Sequence, residues 1–418
     1  MQLSIGMKYL FPSKLNSNLM KDAWQDFEER ICWRLFFAFG NNSPEKELFD
    51  PDYEVSHKRK KNPPRMPGYI ELGLLQSRVF VFESLHKGVK EVETPFKSLI
   101  LSPRLISQFL EDNELVVTST DKNLGIAVSK RTWIEMKSLE LLCDTNNYRE
   151  IHYLTMMQEV NCKCTKAELI ATKAESSVPN GKQIGEFLRH LVTENGKPHI
   201  LPKFYGILKI HKKPVKMRPI IPCHSAVQNP AAKYVDKNLR PLILEAPTII
   251  HGTKDLAIKL SKLNINTNPK YFIITGDVVA FYPNIPITEY MTIILHMYEE
   301  FIGTIGINPA TISTLKERRK FSLILLFAEC LHLGNTKLIC TYMGKYYLQL
   351  KGLAMGVASS PSIANLYGWF YEGQCGILND PNIIFYGHYI DDCIAIVYAD
   401  NEDQALLAVQ KLNRTVYY

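Results

Sequence analysis

The stretch IIFYGHYIDDCIAIVY, residues 383–398, decides how this chain is read. Two short runs rich in β-branched and aromatic residues, Ile383–Tyr386 and Cys393–Tyr398, flank Ile390-Asp391-Asp392. That is the pattern of two strands joined by a tight acidic turn. An apolar hairpin buries at least one face, and two adjacent carboxylates beside that face cost roughly several kcal/mol unless something compensates. A third acid repeats the arrangement: Tyr271-Phe272-Ile273-Ile274-Thr275 is an apolar strand running into Gly276-Asp277. Singly, each Asp reads as a turn residue at a strand end. Three acids converging from separate strand ends suit Mg²⁺, which prefers hard oxygen ligands and takes the rest from water and phosphates. Two such ions activate an attacking hydroxyl and stabilise the leaving oxygen of an in-line phosphoryl displacement.

Working outward, the second half alternates strands with helical segments. Thr288–Tyr298 is helix-like, with Thr288 as N-cap. Phe321–Leu333 is a mostly apolar helix, Ser362–Tyr371 another, and Asp403–Leu412 a last one. Strands interleaved with helices predict a mixed layer with the carboxylates at strand ends. Further upstream, Leu115-Val116-Val117 and Ile126-Ala127-Val128 bracket Thr118–Gly125 as a strand pair with a connecting loop. Beyond Trp133, leucines and methionines recur at helical spacing through about Thr172. Ser177–Pro202 is a connector with an embedded helix near Ile184–Val192. Trp24–Phe39 reads as a short amphipathic helix. Gly40–Gly68, with five Pro and the run His57-Lys58-Arg59-Lys60-Lys61, reads as a polar, basic linker.

Composition narrows the function classes. The 418 residues are 46% hydrophobic and 22% charged, which excludes wholesale disorder and predicts two or three domains. The net charge of +7 is local: Leu201–Arg240 holds nine Lys/Arg and one acid, Asp236. The whole positive excess therefore sits in one segment, pointing to an anion site there. No run approaches the ~20 apolar residues of a membrane span, and no signal peptide is visible. Nine scattered cysteines favour a reducing compartment. Cys162-Lys163-Cys164 is the one close pair and lacks the second ligand pair that a zinc site needs. The expectation is an intracellular protein, nuclear or cytoplasmic, neither secreted nor bound to a membrane.

These residues also carry a resemblance. Tyr389-Ile390-Asp391-Asp392 looks like the Y-x-D-D hairpin of reverse transcriptases. Asp277-Val278-Val279-Ala280-Phe281-Tyr282-Pro283-Asn284-Ile285-Pro286 resembles their first catalytic motif, and its trailing FYPNIP is most like the Penelope-like retroelements. Gly352-Leu353-Ala354-Met355-Gly356, Ser360-Pro361 and Ala364-Asn365-Leu366-Tyr367 resemble the same family's G-x-AMG…SP…ANLY segment. Phe204-Tyr205-Gly206-Ile207-Leu208-Lys209-Ile210-His211-Lys212, followed by Met217-Arg218-Pro219-Ile220, resembles its fingers motif. Asp121-Lys122-Asn123-Leu124-Gly125 is similar to its upstream DKG segment. The motifs run in family order from about residue 96 to the end. The chain departs from the pattern at Val357-Ala358, where the family has Ser-Pro, and at His388, where Arg is common.

The resemblance implies an α+β fold: right-hand polymerase fingers and palm, a mixed sheet with packed helices. It implies an N-terminal helical segment over 1–39 and the linker over 40–68. An N-terminal extension with part of the fingers follows over 69–200, then fingers with a basic hairpin over 201–270 and palm over 271–418. The rest of the palm, the primer-gripping hairpin and the thumb would follow Tyr418, so the expectation is a C-terminally truncated copy. The implied activity is RNA-directed DNA synthesis, with Asp277, Asp391 and Asp392 catalytic. Asp277, Val278, Asp391 and Asp392 form the metal set for two Mg²⁺, with Mn²⁺ as a substitute. Lys122, Lys209, Arg218, Tyr282, Met355 and Gly356 are the nucleotide-binding set. Lys209 and Arg218 would clamp a triphosphate. Tyr282 would be the steric gate against a ribose 2′-hydroxyl. Met355-Gly356 would lie under the incoming nucleotide, and Ser360-Pro361 would start a helix with Ser as cap. Partners would be an RNA template, a DNA primer and dNTPs. Two rival readings stand beside this one: an RNA-dependent RNA polymerase, and an inactive fragment that binds nucleic acid.

Overall fold

The computed structural model describes residues 24, 25, 28, 72–79, 103–192, 200–263, 270–304, 312 and 314–410. Of the helix read over Trp24–Phe39, only Trp24, Gln25 and Glu28 fall among them, and all three are helical. The linker Gly40–Gly68 lies outside the described residues. The chain divides into two compact units, Met1–Arg131 and Thr132–Tyr418.

In the first unit, helix α1 (Pro103–Asp112) leads into an antiparallel hairpin of β1 (Leu115–Ser119) and β2 (Ile126–Lys130). The strand pair thus forms where its β-branched runs predict. The connecting loop closes on itself. Thr120 donates from both its backbone N–H and its hydroxyl to the Gly125 carbonyl, and Gly125 takes a φ of 96° that favours glycine. Lys122 stands exposed at the loop tip in the left-handed region, φ 58°.

The second unit is mixed α+β. Its elements, in order, are α2 (Arg131–Leu142), β3 (Tyr148–Ile151), α3 (Tyr153–Ser177), α4 (Gly181–Arg189), β4 (Tyr205–Lys209), β5 (Lys216–Ile220), α5 (Asn229–Glu245) and α6 (Thr253–Ser261). There follow β6 (Tyr271–Asp277), α7 (Phe281–Asn284), α8 (Ile287–Ile302), α9 (Leu315–Asn335), β7 (Ile339–Tyr342) and β8 (Lys345–Gln349). The last are α10 (Ser360–Gln374), β9 (Ile383–Tyr389), β10 (Asp392–Tyr398) and α11 (Glu402–Val409). These strands pair antiparallel: β6-β10-β9 in one sheet, β3-β8-β7 in another, and the β4-β5 hairpin; isolated parallel bridges join Lys203 to Thr341 and Ile249 to His388.

Several sequence expectations shift. The helical run read from Trp133 to about Thr172 is two helices, α2 and α3, parted by β3. The break falls at Asp144-Thr145-Asn146-Asn147, where Asp144 bonds the N–H of Asn146 and the side chain of Asn147, a local competitor of the helix ladder. Helix α8 starts one residue early, so Pro286 is its N-cap and Thr288 lies inside. Likewise Ser359, not Ser360, caps α10, and Ser360 is its first residue. The pair β7-β8 was not expected. Its strands are short and Gly344 turns between them at φ 76°, too little pattern for a strand reading.

The core of this unit is helical. Tyr290 and Phe327 are fully buried, and Tyr298 stacks on Phe327 with ring centroids 3.9 Å apart. Helix α9 carries a capping box, with Glu317 N–H donating to Thr314 Oγ1 and Thr314 N–H to Glu317 Oε2. It crosses α5 at close range because Gly334 has no side chain: a Cβ there would sit 2.8 Å from Ala232 N and 2.9 Å from its Cα. Both are backbone atoms of a helix, so the two helices would have to part. Gly334→Ala is expected to lower stability by about 1–3 kcal/mol, read as the midpoint of urea unfolding. An unchanged midpoint would show that the contact yields freely.

Candidate active site

The acidic hairpin forms, and it is longer than its apolar runs. β9 extends through Tyr389 and β10 begins at Asp392, leaving Ile390 and Asp391 as the turn. β6 extends to Asp277 and pairs with β10 so that Asp277 lies directly opposite Asp392. Directly opposite residues in an antiparallel pair have Cβ atoms about 4.5–5.5 Å apart. The N–H of Val278 donates to the Asp391 carbonyl at 2.8 Å, which ties the end of β6 to the turn. The three carboxylates of the sequence reading therefore meet at one end of one sheet.

Their burial differs from expectation. Asp391 is half-buried, whereas Asp277, the last residue of β6, and Asp392, the first of β10, are exposed. Burial pushes the Asp391 carboxyl up, the Asp392 and Asp277 charges push it further, and Arg218 pulls it back. Mutual repulsion of this kind is what a bound cation offsets, and hard carboxylate oxygens fit a divalent ion of the Mg²⁺ class. Among the described residues, no three His, Cys, Asp or Glu side chains are drawn together closely enough to cage an ion. The donor chemistry fits, and the arrangement is open.

The turn is held in an unfavourable conformation. Ile390, a β-branched residue, sits at φ 57°, a backbone region costing such residues about 1–3 kcal/mol. Its N–H donates to Asn365 Oδ1 at 3.2 Å, so α10 grips the turn from below. The outer edge of β9 is occupied as well: His388 N–H donates to Thr248 O and Ile250 N–H to His388 O. Below β9 lies a buried polar cluster. Glu372, 3% exposed, accepts from Thr248 Oγ1 at 2.7 Å and from Tyr386 Oη at 2.9 Å. His388 Nδ1 lies 2.6 Å from the same Glu372 Oε1, close enough to ion-pair although neither ring nitrogen makes a well-aligned hydrogen bond.

The remaining residues of the sequence reading fall into three groups. Tyr282 is half-buried on α7, just after Ala280 turns the chain at φ 52°. Burial raises its phenol to about 12, with Asp391 and Tyr389 adding and Arg218 opposing, so the hydroxyl stays protonated and lies within electrostatic reach of the carboxylates. Arg218, on β5 opposite Ile207, acts on both Tyr282 and Asp391. Met355 and Gly356 pack on the exit of that hairpin: Ile221 N–H donates to Met355 O and Cys223 N–H to Gly356 O. A Cβ on Gly356 would stand 2.1 Å from the Ile221 carbonyl oxygen, and its φ is 122°. The close approach that Gly356 permits is thus to the chain's own backbone. Lys209 faces Lys216 at the turn end of the hairpin, beyond the Ile207–Arg218 pair. Lys122 belongs to the first unit.

Gly352 makes a similar contact with Pro283, and Leu353 N–H donates to Tyr282 O, so the 352–356 loop fixes both α7 and the β5 exit. A groove of 760 Å³ passes Gly252, Thr253, Asp277, Tyr389 and Asp392. On the other side of the hairpin, Asp277 shares a cavity of 390 Å³ with Glu372, His388 and Ile390. Sequence reasoning missed the supports, Asn365, Thr248, Tyr386 and Glu372. The available signal was one acid, Glu372, closing an otherwise uncharged helix.

Neither a protein-family profile nor a curated protein sequence matches the chain. Among solved structures, it is similar to telomerase from Candida albicans in complex with a TWJ fragment of telomeric RNA, at 12% identity and a TM-score of 0.47, over 74% of this chain and 48% of that one. Apo telomerase from Candida Tropicalis is similar at 11% identity and a TM-score of 0.44, over 74% and 52%. The BmCPV RNA-dependent RNA polymerase at elongation state is similar at 9% identity and a TM-score of 0.37, over 72% and 28%. The chain spans about half the length of these telomerases, and at such identities none of them assigns a role to a residue here.

Proposed function

We propose that this chain is the fingers and palm of an RNA-directed DNA polymerase of the Penelope-like type. The observation that carries the reading is the cross-strand pair Asp277–Asp392 with Asp391 in the adjoining turn. Two Mg²⁺ ions bound there would neutralise the charge of an incoming triphosphate and activate a primer 3′-hydroxyl. Asp277, Asp391 and Asp392 would hold them. Arg218, already within electrostatic reach of Asp391, would orient phosphate oxygens. The open groove past Gly252, Tyr389 and Asp392 leaves room for a strand end. Catalysis in such a site is chiefly positioning and charge stabilisation. A template duplex would be held through its backbone, giving strongly salt-dependent binding.

The protonated Tyr282 beside Asp391 supports a deoxynucleotide substrate, because a fixed aromatic ring there occupies space that a 2′-hydroxyl needs. The test is primer extension on an RNA template with Mg²⁺ and either dNTPs or rNTPs. Wild-type chain should extend with dNTPs, and Tyr282→Ala should narrow the preference over rNTPs by about tenfold or more, the worth of one lost steric contact of 1–3 kcal/mol. Equal use of both substrates by the wild type would overturn the gate and favour an RNA polymerase. Retained RNA binding without any extension would favour the inactive fragment.

A further inference from the structure

The 390 Å³ cavity behind the hairpin has a buried, unpaired polar atom in its wall. His388, which lines it, is 2% exposed. Its Nδ1 faces Glu372 Oε1 at 2.6 Å, while Nε2 has no hydrogen-bond partner among the described residues. A ring whose Nδ1 faces a carboxylate keeps its proton on that side, so in the neutral imidazole Nε2 presents a lone pair. Buried polar atoms are normally paired, and an unpaired one is costly.

Gly368 of α10 opens the space beside that atom. A Cβ there would stand 3.6 Å from His388 Nε2, 3.7 Å from its Cε1 and 3.7 Å from Phe281 Cζ. The gap therefore lies between the imidazole edge and an aromatic ring. The rest of the wall is mostly apolar, with Ile274 and Ala395 on the sheet and Leu406 and Val409 on α11. The Tyr386 hydroxyl, also in the wall, already donates to Glu372. A water at Nε2 needs about two to four polar partners, and the Phe281 ring that faces it supplies none. The volume is far above the roughly 30 Å³ share of one water and falls within the roughly 300–1,000 Å³ of small-molecule pockets. Asp277 and Glu372 are acids, and no Lys or Arg is among the described residues that line the cavity. A wall of that sign disfavours an anion.

We propose that this cavity binds a neutral, compact aromatic molecule that donates one hydrogen bond, from a hydroxyl or an N–H, to His388 Nε2. The donor satisfies the lone pair, and the ring fills the space against Phe281 and Tyr386. Neutrality keeps the molecule from being repelled by Asp277 and Glu372. An apolar enclosure with one fixed polar group is the usual build of a small-molecule site, and here Glu372 fixes the imidazole that carries the acceptor. The inference concerns binding alone and is independent of the polymerase reading.

The test uses the full chain and probes built on one framework: 4-phenylphenol, 4-methylbiphenyl and biphenyl-4-carboxylate. Affinities for wild type and Gly368→Ala are measured by equilibrium dialysis. The variant adds a methyl group in ordinary van der Waals contact with His388 and Phe281. It also replaces a glycine within a helix, so its melting temperature should equal or exceed that of the wild type. Wild type should bind 4-phenylphenol about fivefold tighter than the methyl isostere, the worth of one hydrogen bond, and about tenfold or more tighter than the carboxylate. Gly368→Ala should weaken 4-phenylphenol about tenfold. Equal affinity of the wild type for the phenol and its methyl isostere would overturn the proposal whether or not the variant folds. Unchanged affinity in a folded Gly368→Ala would overturn it as well. So would the absence of saturable 4-phenylphenol binding, which leaves water as the partner of Nε2, and so would tighter binding of the carboxylate.

Discussion

Asp391→Asn is expected to abolish primer extension, by about 10³-fold or more, while leaving the chain folded. Under the proposed function the site would place and neutralise phosphate charge, and removing one carboxylate charge would forfeit about 4 kcal/mol or more of transition-state stabilisation. The same change should raise the melting temperature at pH 7 in a chelating buffer. The sign follows from the environment of Asp391. Burial, then Asp392 and Asp277, raise its carboxyl above the ordinary range, so the folded chain holds that proton more tightly than the unfolded chain. Ionisation therefore destabilises the fold as pH rises through this window, and stability returns as pH falls. A neutral amide removes that penalty. Activity lost together with melting temperature would mean that the carboxylate is structural, and activity retained would remove Asp391 from the metal set. Asp277→Asn tests the opposite side of the pair. It should also silence the chain, with a smaller melting shift because Asp277 is exposed.

What could be read in the sequence follows the range of the interactions involved. The hairpin, the β6 strand and their acids were legible because apolar β-branched runs and strand-end position are local signals, and antiparallel pairing then brings Asp277 opposite Asp392. The α+β character followed from the same segments. The paired strands β7 and β8 were not legible, since both are short and β3, the other partner of β8, lies about 200 residues earlier, Tyr148 facing Gln349. Helix caps moved by two residues, from Thr288 to Pro286, and by one, from Ser360 to Ser359, and neither Pro286 nor Ser359 makes a side-chain cap bond. Gly356 reads in sequence only as a permissive residue. That Ile221 is the backbone it admits depends on the tertiary fold. The same holds for Asn365, whose amide meets Ile390 across 25 residues.

Glu372 is the support whose loss should cost most. Its carboxylate is 3% exposed and serves Thr248, Tyr386 and His388 together. Thr248 comes from the segment flanking β9, while Tyr386 and His388 come from β9 itself, so one side chain of α10 joins that segment to two positions of β9. Burial raises the Tyr386 phenol, and the Glu372 charge raises it further, so Tyr386 remains a proton donor to that carboxylate at every physiological pH. Glu372→Ala would strand those buried donors at once, a loss of about 3–5 kcal/mol. Glu372→Gln keeps the shape and two of the contacts at reduced strength, and should cost about half as much. The functional consequence is separable from the loss of stability. At a temperature where Glu372→Gln is still folded, its nucleotide KM should stay near the wild-type value while kcat falls, because His388 lies three residues before Asp391 and its backbone sets where the turn sits. A variant that melts earlier yet extends primers at the wild-type rate when folded would show that the cluster only stabilises the palm. Restoration of kcat by Glu372→Asp, which keeps the acid, would confirm that the charge positions the hairpin.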